Sequence, residues 1–519
     1  MPKSFNFAPS KHSHYNHHKS SEATIMSEKM TMPHLLLMLA EVILIAVLGG
    51  VASSHFGLAD GARIMAGYGV AYLVPRVILT RTRGTSMASH ILFLLLGALL
   101  MYVDYSRLLG WTFFDEFSLE APNIAGDGRA YYRWALNEYN GEETNLRLVY
   151  VGFSMLILWL WKILGVSVIW PQSMNLMFTL SAVVLTGMTT RRILAHRVKA
   201  SPQSLLALGM LLSSLLCYNI IMGTSILKEG PIHISMAMAA FSLSAMVASD
   251  EERHHPWRDI ILFVVACALM ALVRTTYLYF IMLGVLLMVL PHWQRDWRVA
   301  LGMLAIIGLS LLLGDYFSSY SFDRHAEIVG GGWNMQRFYV TDDSQRFYRD
   351  MLNYYFLYPV WHKVLMLPLT MSVQFIIPFP WTYFDTPTFT NLLARMTYGW
   401  YFVGGTSLFY FIFVSWRRQG NMGIWPWWAA ISFAVVSYIM AGSVARYITP
   451  IQPLFVPVAA YVLCRLWEGH WRRAYLGWFI FMVILITVTL LFCLEIQQAT
   501  ISKMLHTQSL VHYLKGIPY

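Results

Sequence analysis

Seven carboxylates, Asp115, Glu116, Glu120, Asp127, Glu138, Glu142 and Glu143, fall in the one segment 111–147 of a chain that is 57% hydrophobic and only 12% charged. The most distinctive is Asp127, set in Gly126-Asp127-Gly128-Arg129-Ala130-Tyr131-Tyr132. Glycines on both sides let the backbone hold a carboxylate at a tight turn. Near an apolar surface, desolvation raises the pKa of such a group, which suits a general base that takes a proton from a hydroxyl. Glu116 is the second candidate for that role, and Tyr131, Tyr132 and Trp134 supply flat faces beside it. The plainer reading of the same residues is an acidic, solvated turn.

Three cationic positions complement these acids. Lys228-Glu229 closes one apolar run, Arg274 closes another, and Arg446-Tyr447 opens a third that carries Pro450, Pro453 and Pro457. Cations at the ends of apolar runs can hold phosphate oxygens, where charge-assisted hydrogen bonds stabilise a departing phosphate. Their plainer reading is interfacial snorkelling. Asp104 lies within an apolar run with Arg107 one turn on, the spacing of an i,i+3 ion pair. Other chemistries lack their signals: the chain has no GxxxxGK[ST], HExxH or GxSxG. Cys217, Cys267, Cys464 and Cys493 sit in apolar runs without metal-ligand spacing, and His12, His14, His17 and His18 fall in a polar leader. No metal site and no cofactor is expected.

The elements that must position these groups are set by the bilayer. A mean hydropathy of +0.52 and repeated continuous apolar runs point to an all-α, polytopic membrane protein rather than several soluble domains. The net charge of +10 comes from cations scattered over short turns, such as Arg81-Thr82-Arg83 and Arg191-Arg192. That is a topology signal, with the basic turns cytoplasmic, and not a nucleic-acid surface. Counting runs gives about thirteen transmembrane helices plus interfacial and re-entrant ones. Residues 1–33 are expected as a disordered cytoplasmic leader and 34–110 as membrane helices; 111–172 form a first extracytoplasmic loop. Within that loop, 148–170 is expected to lie along the interface, with Trp159, Trp161 and Trp170 as aromatic anchors and Lys162 snorkelling. Membrane helices follow over 173–314, then a second extracytoplasmic loop with a re-entrant helix over 315–394. Membrane helices over 395–494 and an extracytoplasmic tail, 495–519, complete the chain. On this topology Asp127, Lys228, Arg274 and Arg446 all face the side away from the cytoplasm.

These features resemble the GT-C superfamily of polytopic glycosyltransferases. The resemblance rests on GDGRAYY in the acidic first loop, Leu164-Gly165-Val166-Ser167, Asn175 opening the next span, and the Ser225 to Glu229 corner. It continues through Pro378-Phe379-Pro380-Trp381 and Arg446-Tyr447 with Pro450. It implies a GT-C-like fold in the inner membrane and transfer of a sugar from a polyprenyl-phosphate-linked donor to a glycan or lipid acceptor. Asp127 would be the base, with Glu116 the alternative or second carboxylate. Lys228, Glu229, Arg274, Arg446, Tyr447, Tyr131 and Tyr132 would bind substrate. Two departures stand out: two extra spans precede the acidic loop, and Asp115-Glu116 is not followed by His-Tyr. Two other readings stay open. One is a polymerase of O-antigen or exopolysaccharide type using polyprenyl-diphosphate-linked oligosaccharides. The other is a lipid-linked sugar transporter or flippase, for which mid-span charges and an internal repeat are the expected marks.

Overall fold

The computed structural model describes residues 32–82, 85–108, 126–142, 151–215, 223–248, 256–289, 293–316, 401–412, 422–439 and 448–488, with single positions at 361, 364, 367, 371 and 491. The described residues are helical, with no strand among them. Seven of the described helices are long and apolar enough to cross a membrane. Helices are what such runs must form, because a backbone in lipid can hydrogen-bond only to itself.

The first three helices, α1 (Met32–Phe56), α2 (Leu58–Arg81) and α3 (Met87–Leu108), pack together. Gly57, at φ 90°, reverses the chain between α1 and α2 within a single residue, a backbone conformation open to glycine. Leu36, Val42, Ile43 and Val47 of α1 are each more than half exposed, the apolar face that lipid would cover. Inside, Arg76 of α2 meets Glu41 of α1 at 3.1 Å and His90 of α3 at 2.6 Å, all three buried. Asp104 has a partner other than the one its spacing suggests. It accepts a hydrogen bond from the Tyr68 hydroxyl of α2 at 2.8 Å, while the Arg107 side chain lies outside the described set.

The centre of the molecule is formed by α6 (Ile169–Leu194), α7 (Pro202–Ser214), α8 (Glu229–Val247), α9 (Pro256–Val273) and α14 (Gln452–Trp467). Every residue of α8 from Glu229 to Ser244 is buried, so this helix is surrounded by protein on all sides. Its small residues, Ser235, Ala237, Ala239, Ala240, Ser242 and Ser244, let neighbouring helices approach closely. The hydroxyls that this puts in the interior are satisfied locally: Ser235 donates to the Pro231 carbonyl and Ser242 to that of Met238. Around this centre lie α4 (Gly126–Asn140), α5 (Gly152–Leu164), α10 (Leu278–Val289), α11 (Trp293–Tyr316), α12 (Thr406–Tyr410), α13 (Trp425–Ile439) and a last helix over 472–488.

One end of the central bundle is basic and closed. Arg192 at the end of α6 makes a two-pronged contact with Asp259 of α9, at 2.8 and 3.1 Å, and also donates to the Phe241 carbonyl of α8. Arg197 donates to the Val247 carbonyl at the end of α8 at 2.6 Å. Just past α14, Glu468 accepts from the Lys199 amide at 2.6 Å and from Arg465 at 2.9 Å. Since the C-terminal ends of α6, α8 and α14 meet here, the three helices run parallel. Their N-termini gather at the opposite end.

Candidate functional site at the ends of three parallel helices

The opposite end is built around Asn175 of α6. Its side-chain amide donates to the carbonyls of Ser225 and Leu227, at 2.6 and 2.8 Å, and so holds the corner that leads into α8. Gly230 packs on the Asn175 side chain so closely that a Cβ there would stand 2.5 Å from Oδ1. This contact fixes Lys228 and Glu229 beside the start of α6. Lys228 is half-buried and Glu229 is 2% exposed.

The acidic-loop helix reaches the same corner. Tyr131 and Tyr132 of α4 are buried, the first edge-on to Phe153 at 5.3 Å and the second edge-on to Trp161 at 4.9 Å, both partners on α5. Burial pushes the Tyr132 hydroxyl above its ordinary pKa, so it stays protonated as a donor. The Lys228 ammonium lies 5.4 Å from the centre of the Tyr131 ring, a cation–π contact that joins α4 to the corner. The expected turn at Gly126-Asp127-Gly128 is instead the opening of α4: Asp127 is its second residue, and its side chain lies outside the described set. The first turn of a helix favours negative charge, because its amides are unpaired and its dipole end is positive.

Arg274 belongs to this end as well. It is 7% exposed at the break between α9 and the turn Thr275–Tyr277, with its guanidinium 5.5 Å from the Tyr277 ring. Gly152 at the start of α5 packs directly on the Leu272 carbonyl, two residues before Arg274. Gly314 packs on Thr275, so α11 also ends here, where the segment 315–394 begins. The structure thus brings Tyr131, Tyr132, Lys228, Glu229 and Arg274 to one end of the bundle. Glu116, Arg446 and Tyr447 lie outside the described residues, as do Pro378 to Trp381. The residue after Tyr447, Ile448, is buried, and the adjoining turn Thr449–Ile451 packs against α8.

The segment expected along the interface is the 13-residue α5, about 20 Å long and too short to cross. Trp161, however, is not an interfacial anchor. It is fully buried and donates to the Ser167 carbonyl at 2.8 Å, because Phe153, Ile157 and Trp161 form the stripe that faces the protein. Trp159, off that stripe, is 44% exposed. Of the three prolines that the late run carries, Pro450 lies in the turn Thr449–Ile451 and Pro453 in the first turn of α14, where no intrahelical N–H is lost. Pro457 alone sits inside the helix.

No family model, no curated protein and no solved structure matches the chain. Function must be read from the residues themselves.

Sequence reasoning missed a set of uncharged polar groups at this end. Gln172 and Gln452 are fully buried, His233 is 2% exposed, and both side-chain polar atoms of each glutamine, with His233 Nε2, have no hydrogen-bond partner. All three lie in the first turns of the parallel helices: fourth in α6, fifth in α8 and first in α14. A signal was present. Each helix carries a proline beside or near the polar residue, in Pro171-Gln172, Pro231-Ile232-His233 and Gln452-Pro453, which marks a helix start, and glutamine in an apolar run is costly without a partner. Among the described residues, no three His, Cys, Asp or Glu side chains are placed to hold a metal ion.

Proposed function

We propose that the chain is a GT-C-type membrane glycosyltransferase with about thirteen spans, N-terminus cytoplasmic, acting at the extracytoplasmic face of the inner membrane on a polyprenyl-phosphate-linked sugar. The observation that carries this reading is the Lys228 ammonium over the Tyr131 ring, 5.4 Å away, which ties the acidic-loop helix to a cationic corner at the end where three parallel helices begin. Positive helix ends, Lys228 and the nearby Arg274 together favour an anion such as a carrier phosphate.

The chemistry is a single displacement. Asp127 takes the proton of an acceptor hydroxyl, the acceptor oxygen forms a bond to the sugar's anomeric carbon, and the bond from that carbon to the phosphate oxygen breaks. Its electron pair leaves on the phosphate, whose charge Lys228, Arg274 and Arg446 meet. Configuration at the anomeric carbon is inverted. The test is to compare lipid-linked and surface glycans in cells with the protein, without it, and with Asp127→Asn at equal membrane abundance. Loss of the same glycan in the last two cases supports the reading; an unchanged glycan profile in cells lacking the protein removes it.

A further inference from the structure

Gln172, His233 and Gln452 pose a problem that the back-bonded hydroxyls of the interior do not. Buried hydroxyls such as those of Thr186, Thr189, Ser235 and Ser242 bond back to carbonyls four residues earlier. The two glutamines offer four polar atoms and use none within the protein. Burying an amide without a partner is costly, so such groups persist where something else satisfies them.

Their placement shows what that would be. On α6, Gln172 lies one turn toward the helix start from Asn175, and on α8, His233 lies one turn inward from Gly230. Asn175 and Gly230 are in contact, so the seam between the two helices carries unsatisfied polar groups over about 9 Å of depth. Gln452 opens the third parallel helix, whose leading turn packs on α8. Asn175 Oδ1, against Gly230 on the same seam, has no partner either. None of these side chains is an acid or a permanent cation; each presents donors, acceptors or both. A phosphate would select cations, which stand at Lys228 and Arg274. Neutral amides and an imidazole match a neutral partner with many hydroxyls.

We propose that Gln172, His233 and Gln452 form the recognition layer for the uncharged, polyhydroxylated part of the ligand, the sugar ring, while the cations at Lys228 and Arg274 take its phosphate. This rests on the glycosyltransferase reading. A site of this kind discriminates strongly, because a ligand lacking a matching hydroxyl leaves a buried group unpaired.

The test uses the full chain in nanodiscs and two probes, polyprenyl phosphate and a panel of polyprenyl-phosphate hexoses, with binding read by native mass spectrometry and each variant's unfolding temperature read without ligand. Wild type is expected to bind one hexose-bearing carrier at least tenfold more tightly than the bare carrier. Gln172→Leu and Gln452→Leu, close in volume, are expected to erase that difference, to leave bare-carrier binding within threefold, and to keep or raise the unfolding temperature. A structural role predicts the opposite for temperature, since it would fall. The proposal is overturned if wild type binds the bare carrier and every hexose carrier equally, the result for a seam filled by water alone. It is also overturned if the leucine variants lower the unfolding temperature or weaken both probes alike. If wild type binds neither form of carrier, the glycosyltransferase reading fails with it.

Discussion

The two ends of the α6, α8 and α14 bundle are made of the same three helices, yet they treat polar groups in opposite ways. At the basic end, Arg192 faces Asp259, Arg197 caps α8 through the Val247 carbonyl, and Glu468 gathers the Lys199 amide and Arg465. At the other end, Gln172, His233 and Gln452 are as deeply buried but have side-chain atoms with no partner in the protein. The difference teaches which end is complete in itself and which needs a second molecule. A closed end contributes to stability; an open one gives up stability for binding.

Six substitutions at five positions sharpen or break that contrast. The largest effect belongs to the closed end. Arg192→Leu strands the Asp259 carboxylate among buried atoms and is expected to cost about 3–5 kcal/mol, read as a fall in thermal unfolding in detergent. Adding Asp259→Leu is expected to recover most of it, and no recovery would mean that the pair does not hold this end together. At the open end the expected order reverses, with activity lost and stability kept. Lys228→Ala is expected to reduce sugar transfer about 10²-fold while moving stability by less than about 1 kcal/mol. A large drop in unfolding temperature there would make Lys228 a structural clamp instead.

Tyr131 gives a smaller and more selective effect. Tyr131→Phe keeps the ring under Lys228 and is expected to behave like wild type, whereas Tyr131→Leu is expected to weaken carrier binding about threefold to tenfold. Equal loss in both would shift the role to the hydroxyl. The smallest effect is the pH response of the closed end. Burial alone would raise the Glu468 carboxyl, but the Lys199 amide and the Arg465 guanidinium outweigh it and hold it below the usual carboxylate value. A depressed pKa contributes stability above the unfolded-state value and loses it as pH falls through the folded one. Glu468→Gln is therefore expected to lower stability at neutral pH by less than about 1 kcal/mol and so to flatten the acid limb of the stability curve, leaving the acid end nearly unchanged.

Much of the architecture was legible because lipid leaves so few options. Continuous apolar runs had to be helices, and basic turns such as Arg191-Arg192 and Arg465 to Arg473 had to share a side. Charges that stand out against an apolar background, Lys228, Glu229 and Arg274, were legible for the same reason, as was Asn175 at the head of its span. The misreadings came where local pattern and tertiary context diverge. Gly126-Asp127-Gly128 looks like a turn, but a glycine pair is equally compatible with a helix start when Tyr131 and Tyr132 can lock α4 onto α5. Trp161 carries the same letter as Trp159, and only the stripe through Phe153 and Ile157 sends it inward. Gln172, His233 and Gln452 went unread because periodicity places them but cannot say whether a partner waits there. That depends on three helices, distant in sequence, beginning at the same end of the bundle.

The most direct measurement is turnover by purified Asp127→Asn in nanodiscs, followed by mass spectrometry of the lipid-linked sugar, beside its unfolding temperature and its affinity for polyprenyl phosphate. Transfer reduced at least 10²-fold, with unfolding and carrier affinity both unchanged, is the expected result. Wild-type turnover by Asp127→Asn would contradict the assignment of the base and of the open end as the place where chemistry occurs.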